Sequence, residues 1–225
     1  MNVLVLQPIR PDHPPALRAI ADHLLARLEA ANPGMVFDIR QDDARLDIPP
    51  HPSRYIRHAT VRNYMVDRYL EEGHDAVFWV DSDLIEYPAD LPALLHAAAP
   101  GAVCAPLALL KDTREYGQDR FYDIGGFIEK GRSARPYPPY FEQRGAVVDL
   151  DSVGCCYLAP AALYRIGIRY EPPPMDRWVT ADGTEYRVEH NSVMWQARAL
   201  GYRVCCLTTA RAVHAWLPDY GLTPN

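Results

Sequence analysis

Two carboxylates separated by one residue follow an unbroken apolar run. The run is Ala76-Val77-Phe78-Trp79-Val80, and Asp81-Ser82-Asp83 comes directly after it. Such a run predicts a strand buried on both faces of a parallel sheet, and ligands of open α/β sheets bind beyond the carboxyl ends of such strands. Because side chains alternate along an extended segment, both carboxylates project to one side. The pair suits a hard divalent cation that also grips phosphates. Asp-x-Asp alone more often marks a turn, and the flanking sequence favours the site.

The helix predicted before this strand, from about Arg54 to Glu72, carries two polar residues on its apolar side. Asn63 completes the helical spacing of the apolar stripe, and Arg62 lies at its edge. Inward-facing polar groups need partners, since burying them unpaired is costly. Two interpretations stay open. Either Asn63 caps loop backbone and Arg62 makes an ordinary ion pair, or Arg62 reaches a phosphate, for which a guanidinium is well suited.

A carboxylate and an imidazole stand side by side on a late helix predicted at about 185–200. Glu189 fills a gap in the apolar stripe of that helix, and His190 lies next to it. They are either a structural pair near a helix N-terminus, where a carboxylate is favourable, or an acid/base and an orienting group. His214 lies near the C-terminus in Ala-Val-His-Ala-Trp. A lone His there is more often a core or surface residue, but with the two Asp it would complete a metal-ligand set.

The elements that must position these residues alternate between strand and helix over the first half of the chain. Strands are predicted at 3–6, 35–39, 76–80 and 102–107, with helical segments between them. This alternation predicts a doubly wound α/β sheet flanked by helices. From 112 to 144 the chain is aromatic and rich in Gly and Pro, as long functional loops are. Further strands are predicted at 147–150, 155–159 and 202–207, and we interpret residues 1–225 as one domain.

Composition excludes several classes of protein. The 225 residues are 48% hydrophobic and 23% charged, which is typical of a globular chain. A net charge of −6 argues against nucleic acid as the main partner, because a basic footprint is missing. The five cysteines include no Cys-x-x-Cys, so neither a disulfide framework nor a zinc ribbon is predicted. With no signal peptide and no membrane span in sight, a cytoplasmic protein is expected.

Taken together, these residues resemble the glycosyltransferases of the GT-A fold. The resemblance runs through Ala59-Thr60-Val61-Arg62-Asn63, the segment 74–83, the segment 151–158, Glu189 and His214. The order and spacing of these elements are more specific than any one of them. The family that we find most similar is that of the fungal Golgi mannosyltransferases and their small bacterial relatives.

The resemblance implies a GT-A fold with a single, mostly parallel mixed sheet and a hexosyltransferase activity. The donor would be a UDP- or GDP-sugar bound by residues 1–110, and the acceptor a small molecule, glycan or peptide bound by residues 111–225. The resemblance also implies that Asp81, Asp83 and His214 hold a divalent metal, Mn²⁺ or Mg²⁺, together with the donor diphosphate. Arg62 would contact the donor, and we count Asn63 and Ser82 with it as donor-binding residues.

The catalytic base is where the sequence departs from the family. Many relatives carry an acidic pair at the start of the late helix, whereas here Glu189 is followed by His190. If the enzyme inverts the anomeric centre, one of these two groups deprotonates the acceptor. If it retains, as the mannosyltransferases suggest, the same groups position sugar and acceptor. Both outcomes stay open, as does an oligomeric state.

Two further binding regions are predicted from position alone. Pro8 and Arg10 follow the first strand, where the donor base would lie. Tyr140 and Trp178 belong to aromatic loops that would form an acceptor platform, since stacked aromatic rings suit sugars. Packing of surface loops explains Tyr140 and Trp178 equally well.

Three other classes of protein share some of these features. A metal-dependent nucleotidyltransferase also uses a metal-bound Asp, but its Gly-rich N-terminal loop is missing from Gln7-Pro8-Ile9-Arg10. A degenerate sugar-nucleotide-binding module is disfavoured by the intact polar set of the two Asp, Glu189 and His214. A haloacid-dehalogenase-type phosphatase is disfavoured because its Asp pair normally follows the first strand.

Overall fold

The computed structural model describes residues 1–9, 13–42, 54–110, 119–172, 178–179, 185–186 and 188–220. Its helices are α1 (Pro15–Ala26), α2 (Leu28–Ala31), α3 (Arg54–Tyr69), α4 (Leu91–Ala98), α5 (Ala161–Arg165) and α6 (His190–Ala199), with a 3-10 helix at Leu217–Tyr220. Its strands are β1 (Asn2–Pro8), β2 (Val36–Asp42), β3 (Ala76–Val80), β4 (Leu84–Glu86), β5 (Val103–Leu110), β6 (Arg120–Phe121), β7 (Ile128–Glu129), β8 (Arg132–Ser133), β9 (Val147–Asp149), β10 (Cys156–Pro160), β11 (Trp178–Val179), β12 (Glu185–Tyr186) and β13 (Val204–His214).

One mixed sheet organises the molecule. Seven strands follow the order β2-β1-β3-β10-β5-β13-β4, while β6 pairs with β5 and β9 pairs with β13. Along this order β2, β1, β3, β5 and β13 run in one direction, and β10 and β4 run against them. Strands from before and after residue 110 therefore belong to the same sheet. The predicted α/β class with a mostly parallel mixed sheet flanked by helices is confirmed.

The central strands are apolar along their whole length because both faces of the sheet are covered. Every residue of β3 and of β5 is buried, as is typical of parallel strands between helical layers. Helix α1 begins with Pro15 at its first position, where the missing N–H costs nothing. It buries Leu17 and Leu24 among its apolar residues, and it lies over β4.

The late helix and the last strand show the largest differences from their sequence predictions. The late helix begins at His190 rather than near residue 185, because residues 185–186 pair with residues 178–179 as a short antiparallel hairpin. The last strand does not stop at Leu207. A register shift between Leu207 and Arg211 absorbs the intervening residues, so that the same strand resumes its pairing with β5 and ends at His214.

All five cysteines are buried free thiols on the sheet or beside it. Among the described residues, no helix has the length and apolar character needed to cross a membrane.

Candidate functional site

The predicted polar residues meet at the edge of the sheet where the parallel strands end. Asp81 follows β3 directly, and His214 is the last residue of β13 and lies opposite Leu110, the last residue of β5. Asp83 joins this edge because its carbonyl accepts a hydrogen bond of 2.9 Å from the N–H of Ala215. This is the position at which open α/β sheets bind ligands.

Asp81, Asp83 and His214 form a compact cluster of potential metal ligands. One ligand atom from each lies within 4.8 Å of the others, and His214 Nδ1 is 3.2 Å from Asp83 Oδ1. His214 is fully buried, yet neither of its ring nitrogens makes a well-directed hydrogen bond to a described residue. Buried polar atoms are normally satisfied, so two carboxylates and an unsatisfied imidazole fit a divalent cation.

Arg62 lies against this cluster and is almost completely buried. Its Nη2 donates a hydrogen bond of 2.8 Å to Asp81 Oδ1, and its Nε is 3.5 Å from Glu189 Oε1. Burial opposes its charge, but Asp81, Tyr170 and Glu189 together raise the pKa of Arg62 well above its ordinary value. Its Nη1 is buried without a hydrogen-bond partner among the described residues, which leaves one donor for a ligand.

An aromatic layer supports the Arg62 guanidinium from below. The guanidinium carbon lies 4.9 Å from the ring centroid of Trp79 and 5.6 Å from that of Tyr170, both cation–π distances. Trp79 Nε1 donates a hydrogen bond of 2.9 Å to Tyr164 Oη, and Tyr164 Oη lies 3.1 Å from Tyr170 Oη. These buried contacts fix the plane on which the guanidinium rests.

Asn63, expected beside Arg62 in the donor site, satisfies loop backbone in this structure. Its Nδ2 donates to the carbonyl of Tyr170 and its Oδ1 accepts from the N–H of Tyr170, both at 2.8 Å. Of the two interpretations of the α3 stripe, the structure shows the structural one for Asn63. For Arg62 it shows an ion pair with Asp81 and a buried Nη1 without a hydrogen-bond partner among the described residues. The donor-binding roles of Arg62 and Asn63 stay predictions.

Glu189 is the N-terminal cap residue of α6 and lies among three basic side chains. Its Oε1 lies 3.5 Å from Arg62 Nε, 3.6 Å from His58 Nδ1 and 3.8 Å from His190 Nδ1. Burial alone would raise the pKa of Glu189, but contacts with His190 and His58 bring it well below its ordinary value. Glu189 is therefore a persistent carboxylate and a weak base.

His190 is held between two carboxylates. Its Nε2 lies 3.2 Å from Asp123 Oδ2, and its Nδ1 faces Glu189. Although burial lowers the pKa of His190, Asp123 and Glu189 raise it to about 9. At neutral pH such an imidazole is protonated, which does not suit the role of general base that the sequence suggests for His190 or Glu189.

Asp123 and its neighbour Tyr122 were not predicted from the sequence. They fall in the aromatic, Gly-rich stretch that follows β5, and the Tyr122 ring stacks on the His214 imidazole with centroids 3.6 Å apart and planes at 15°. Asp123 reaches His190 through a separation of 67 residues that only the tertiary structure closes. The available signal was the sequence Tyr-Asp-Ile-Gly-Gly, a short polar and glycine-rich break among aromatic residues.

The backbone beside the site is strained at Cys155. This residue has a φ of 51°, and the N–H of Cys156 donates a hydrogen bond of 2.6 Å to the carbonyl of Gly154 across it. A tight turn of this kind is rare for a residue with a side chain. Backbone strain of this kind concentrates at functional sites, and the turn places Gly154 against the Asp123–His190 contact.

The remaining predicted residues have different positions. Pro8 ends β1, where the register of Leu6 with Trp79 puts it level with Asp81, while Arg10 lies outside the described residues. Ser82, which stands between Asp81 and Asp83 in the sequence, is buried. The donor-binding roles of these residues stay predictions.

The two predicted acceptor residues are not brought to the cluster by any described contact. Tyr140 packs its ring 5.2 Å from that of Phe121 and donates a hydrogen bond to the carbonyl of Asp119. Trp178 belongs to β11, and its side chain lies outside the described part of the structure. The acceptor-binding roles of Tyr140 and Trp178 stay predictions.

The sequence matches no protein-family model and no curated protein. Among solved structures, the chain is similar to GalNAc-T7 with UDP, GalNAc and Mn²⁺, at 11% identity and a TM-score of 0.55, covering 96% of this chain and 44% of that one. It is also similar to the catalytic domain of Drosophila β1,4-galactosyltransferase 7, at 12% identity and a TM-score of 0.49, covering 92% of this chain and 64% of that one. S. aureus TarS matches at 12% identity and a TM-score of 0.49, covering 98% of this chain and 62% of that one.

These similarities concern the fold. The chain spans less than two thirds of the length of each of these three proteins, and at identities of 11–12% a shared fold does not establish a shared substrate. The chain thus has the α/β fold of the GT-A glycosyltransferases.

Proposed function

We propose that this protein is a metal-dependent glycosyltransferase that moves a sugar from a nucleoside-diphosphate sugar to an acceptor. The observation that carries the proposal is the cluster of Asp81, Asp83 and His214 at the carboxyl edge of the sheet, with the free Nη1 of Arg62 beside it. The GT-A fold supports the same class of reaction by analogy. GalNAc-T7 was crystallised with UDP and Mn²⁺, which makes this pair the first to test.

The residues of the cluster and Arg62 would have different roles at the leaving group. Asp81, Asp83 and His214 would hold the divalent cation, Mn²⁺ or Mg²⁺. When bound there, the cation supplies charge stabilisation for the departing diphosphate. Arg62 adds a fixed positive charge whose orientation is set by Asp81, Glu189 and the aromatic layer, so little reorganisation is needed as negative charge develops.

Glu189 and His190 act in this proposal by charge and position rather than by proton transfer. Glu189 orients Arg62 and balances its charge, and His190 balances Glu189 in turn. A retaining reaction needs only such positioning. The sugar, the acceptor and the stereochemical course are left to direct measurement.

Thermal shift of the purified protein tests the proposal. UDP and GDP are each added with Mn²⁺, with Mg²⁺ and with EDTA, because a ligand that binds only the folded state raises the melting temperature by mass action. We expect one nucleotide to raise the melting temperature with metal and not with EDTA. The matched control is Asp83→Asn, which keeps the side-chain shape but removes one ligand charge and should abolish the shift. No shift with any pair, or an equal shift in Asp83→Asn, would contradict the metal site.

The reaction products separate the transferase from a nucleotidyltransferase of similar fold. A glycosyltransferase releases UDP or GDP from the nucleotide sugar. A nucleotidyltransferase instead joins a nucleoside triphosphate to a sugar phosphate, and the triphosphate releases pyrophosphate. Release of UDP or GDP that Asp83→Asn abolishes supports the proposal. Release of pyrophosphate without UDP or GDP would contradict the proposal and indicate a nucleotidyltransferase.

A further inference from the structure

Two adjacent residues, Tyr122 and Asp123, each contact one histidine of the candidate site. Immediately after β6, the Tyr122 ring stacks on His214 at 3.6 Å, and Asp123 Oδ2 lies 3.2 Å from His190 Nε2. The two histidines come from different elements, His214 from the end of β13 and His190 from the start of α6. One short segment therefore contacts both His214, which belongs to the cluster of potential metal ligands, and His190, which faces Glu189.

The backbone of this segment is fixed on both sides. The N–H of Tyr122 donates a hydrogen bond of 2.8 Å to the carbonyl of Ala108 on β5. Asp123 Oδ1 accepts one of 2.9 Å from the N–H of Gly126, which leaves its other oxygen directed at His190. The segment is thus anchored to the central sheet before it reaches either histidine.

Two glycines enclose the contact between Asp123 and His190. A Cβ atom on Gly154 would lie 2.1 Å from Asp123 Oδ2 and 2.2 Å from His190 Nε2. A Cβ on Gly126 would lie 2.1 Å and 2.4 Å from the same two atoms. All of these separations are below any real contact of a Cβ atom. Only residues without a side chain at 126 and 154 allow the carboxylate and the imidazole to meet.

We propose that Tyr122 and Asp123 form a clasp of positioning residues, which sets the ring plane of His214 for metal binding and holds His190 against Glu189. For His214 the inference rests on the proposed function, since it takes this residue as a metal ligand. A fully buried imidazole offers its nitrogen to a metal only in one ring orientation, and a ring stacked at 15° opposes rotation out of that plane. Proteins usually orient a metal-binding imidazole through a hydrogen bond to its other ring nitrogen, and here the stacked ring of Tyr122 would do so instead.

For His190 the clasp is independent of any metal. Among the described residues, the charged groups that face His190 are Asp123 from the clasp and Glu189 from the cap of its own helix, and Asp81 interacts with His190 more weakly. Asp123 is the partner with the shorter contact, 3.2 Å against 3.8 Å for Glu189. Loss of this contact should therefore release the His190 proton at lower pH.

NMR titration of the histidine ring carbons tests the His190 half of the clasp without metal or nucleotide. His190→Gln identifies the His190 signal, which should titrate near pH 9 in the wild-type protein. In Gly154→Ala, which changes no charge, and in Asp123→Asn, which changes no shape, its midpoint should fall by at least about one pH unit. Gly73→Ala is the matched control, because a Cβ at Gly73 meets nothing within 4 Å. An unchanged midpoint in folded Asp123→Asn would overturn the clasp.

Electron paramagnetic resonance of free Mn²⁺ tests the His214 half. Tyr122→Phe keeps the stacked ring and should bind Mn²⁺ within about twofold of the wild-type affinity, whereas Tyr122→Leu should bind about tenfold more weakly. Equal affinity in Tyr122→Leu and the wild-type protein would overturn this half of the clasp. Wild-type protein that binds Mn²⁺ no better than Asp83→Asn would instead contradict the proposed function, and the NMR titration would then decide the clasp on His190 alone.

Discussion

Arg62 is the residue on which the charge balance of the site depends. Its guanidinium lies between Asp81 and Glu189, with a side chain only 6% exposed. Removal of one partner from a buried ion pair strands the opposite charge in a medium of low dielectric constant, which is far more costly than losing the pair as a whole. The same residue thus contributes to stability and has one buried donor, Nη1, without a hydrogen-bond partner among the described residues.

We expect Arg62→Ala to lower the free energy of unfolding by about 3–5 kcal/mol, because it removes the cation that lies between the buried Glu189 and the partly buried Asp81. Urea denaturation monitored by fluorescence measures this loss. The double variant Arg62→Ala, Glu189→Gln should recover part of the loss, since only Asp81 then remains uncompensated. A loss below about 1 kcal/mol would indicate a solvent-screened pair and would contradict the burial of this network.

His190 should make stability depend on pH on the alkaline side. Its pKa is raised from 6.5 to about 9 in the folded protein by Asp123 and Glu189. Below pH 6.5 both the folded and the unfolded states carry the proton, and the stabilisation is fully present. As pH rises through about 9 the folded state loses the proton too, and the stabilisation disappears.

We therefore expect the urea midpoint to fall between about pH 6.5 and 9, with a loss of roughly 3 kcal/mol from this group. His190→Gln is the comparison, because it cannot titrate and should show a flatter profile over the same range. Parallel profiles for His190→Gln and the wild-type protein would show that His190 does not carry a raised pKa.

Which residues of the site could be predicted depended on the kind of signal each one leaves in the sequence. Asp81 and Asp83 come one and three residues after the end of an apolar strand, and Arg62 interrupts the apolar stripe of a helix. Local sequence periodicity is therefore enough to single out these three residues. Asp123 leaves no such trace, since its partner His190 is distant in sequence, and so is Gly154, one of the two glycines that admit the contact. Sequence patterns report which way a side chain faces and are silent about which distant side chain it meets.

At the scale of elements, α3 shows how a helix serves the site and the fold together. Arg62 faces the cluster, while the next residue, Asn63, ties the helix to the loop after α5 through both backbone groups of Tyr170. Because Tyr170 lies under the Arg62 guanidinium, this connection also keeps the aromatic layer in place.

We expect Asn63→Ala to lower the free energy of unfolding by about 1–3 kcal/mol, since it leaves two backbone groups of Tyr170 unpaired. The affinity for UDP with Mn²⁺, measured by calorimetry below the melting temperature, should stay within about threefold of the wild-type value. Loss of UDP binding at unchanged stability would support the donor-binding role predicted from the sequence.

Elements were predictable where one interaction dominates them. The bounds of β3 match the apolar run of 76–80, because a strand covered on both faces must be apolar throughout. The start of α6 was predicted too early, since Tyr186 fits the helical spacing yet pairs with Trp178 in a hairpin. The length of β13 was missed because a bulge hides the continuity of the strand from any period-2 pattern.

At the scale of the whole molecule, the sheet order brings the site together. Asp81 and His214 are separated by most of the chain, yet β3 and β13 end at the same edge with β10 and β5 between them. The parallel direction of β3, β5 and β13 matters here, because a reversed strand would carry its terminal residue to the opposite edge. The alternation of strands and helices predicts this architecture in general terms and leaves the insertion of β10 undetermined.

The net charge of the molecule would give a metal bound at this cluster a second role. The chain carries a net charge of −6, and the cluster itself presents two carboxylates where a diphosphate would bind. Arg62 is already paired with Asp81 and Glu189, so it cannot offset both the carboxylates and an incoming anion. Without a cation, the electrostatic field at this edge should repel a nucleoside diphosphate.

We therefore expect isothermal titration calorimetry to show UDP binding at least about 100-fold weaker in EDTA than with Mn²⁺, or about 2.7 kcal/mol. Uridine is the matched control, because it keeps the base and the ribose but lacks the diphosphate, and its affinity should be equal in both conditions. Residual UDP binding in EDTA should strengthen with added NaCl, since salt screens the repulsion from the carboxylates. Equal UDP affinity with and without metal would contradict this prediction. It would mean that cationic side chains alone bind the diphosphate, although Arg62 is already paired with two carboxylates.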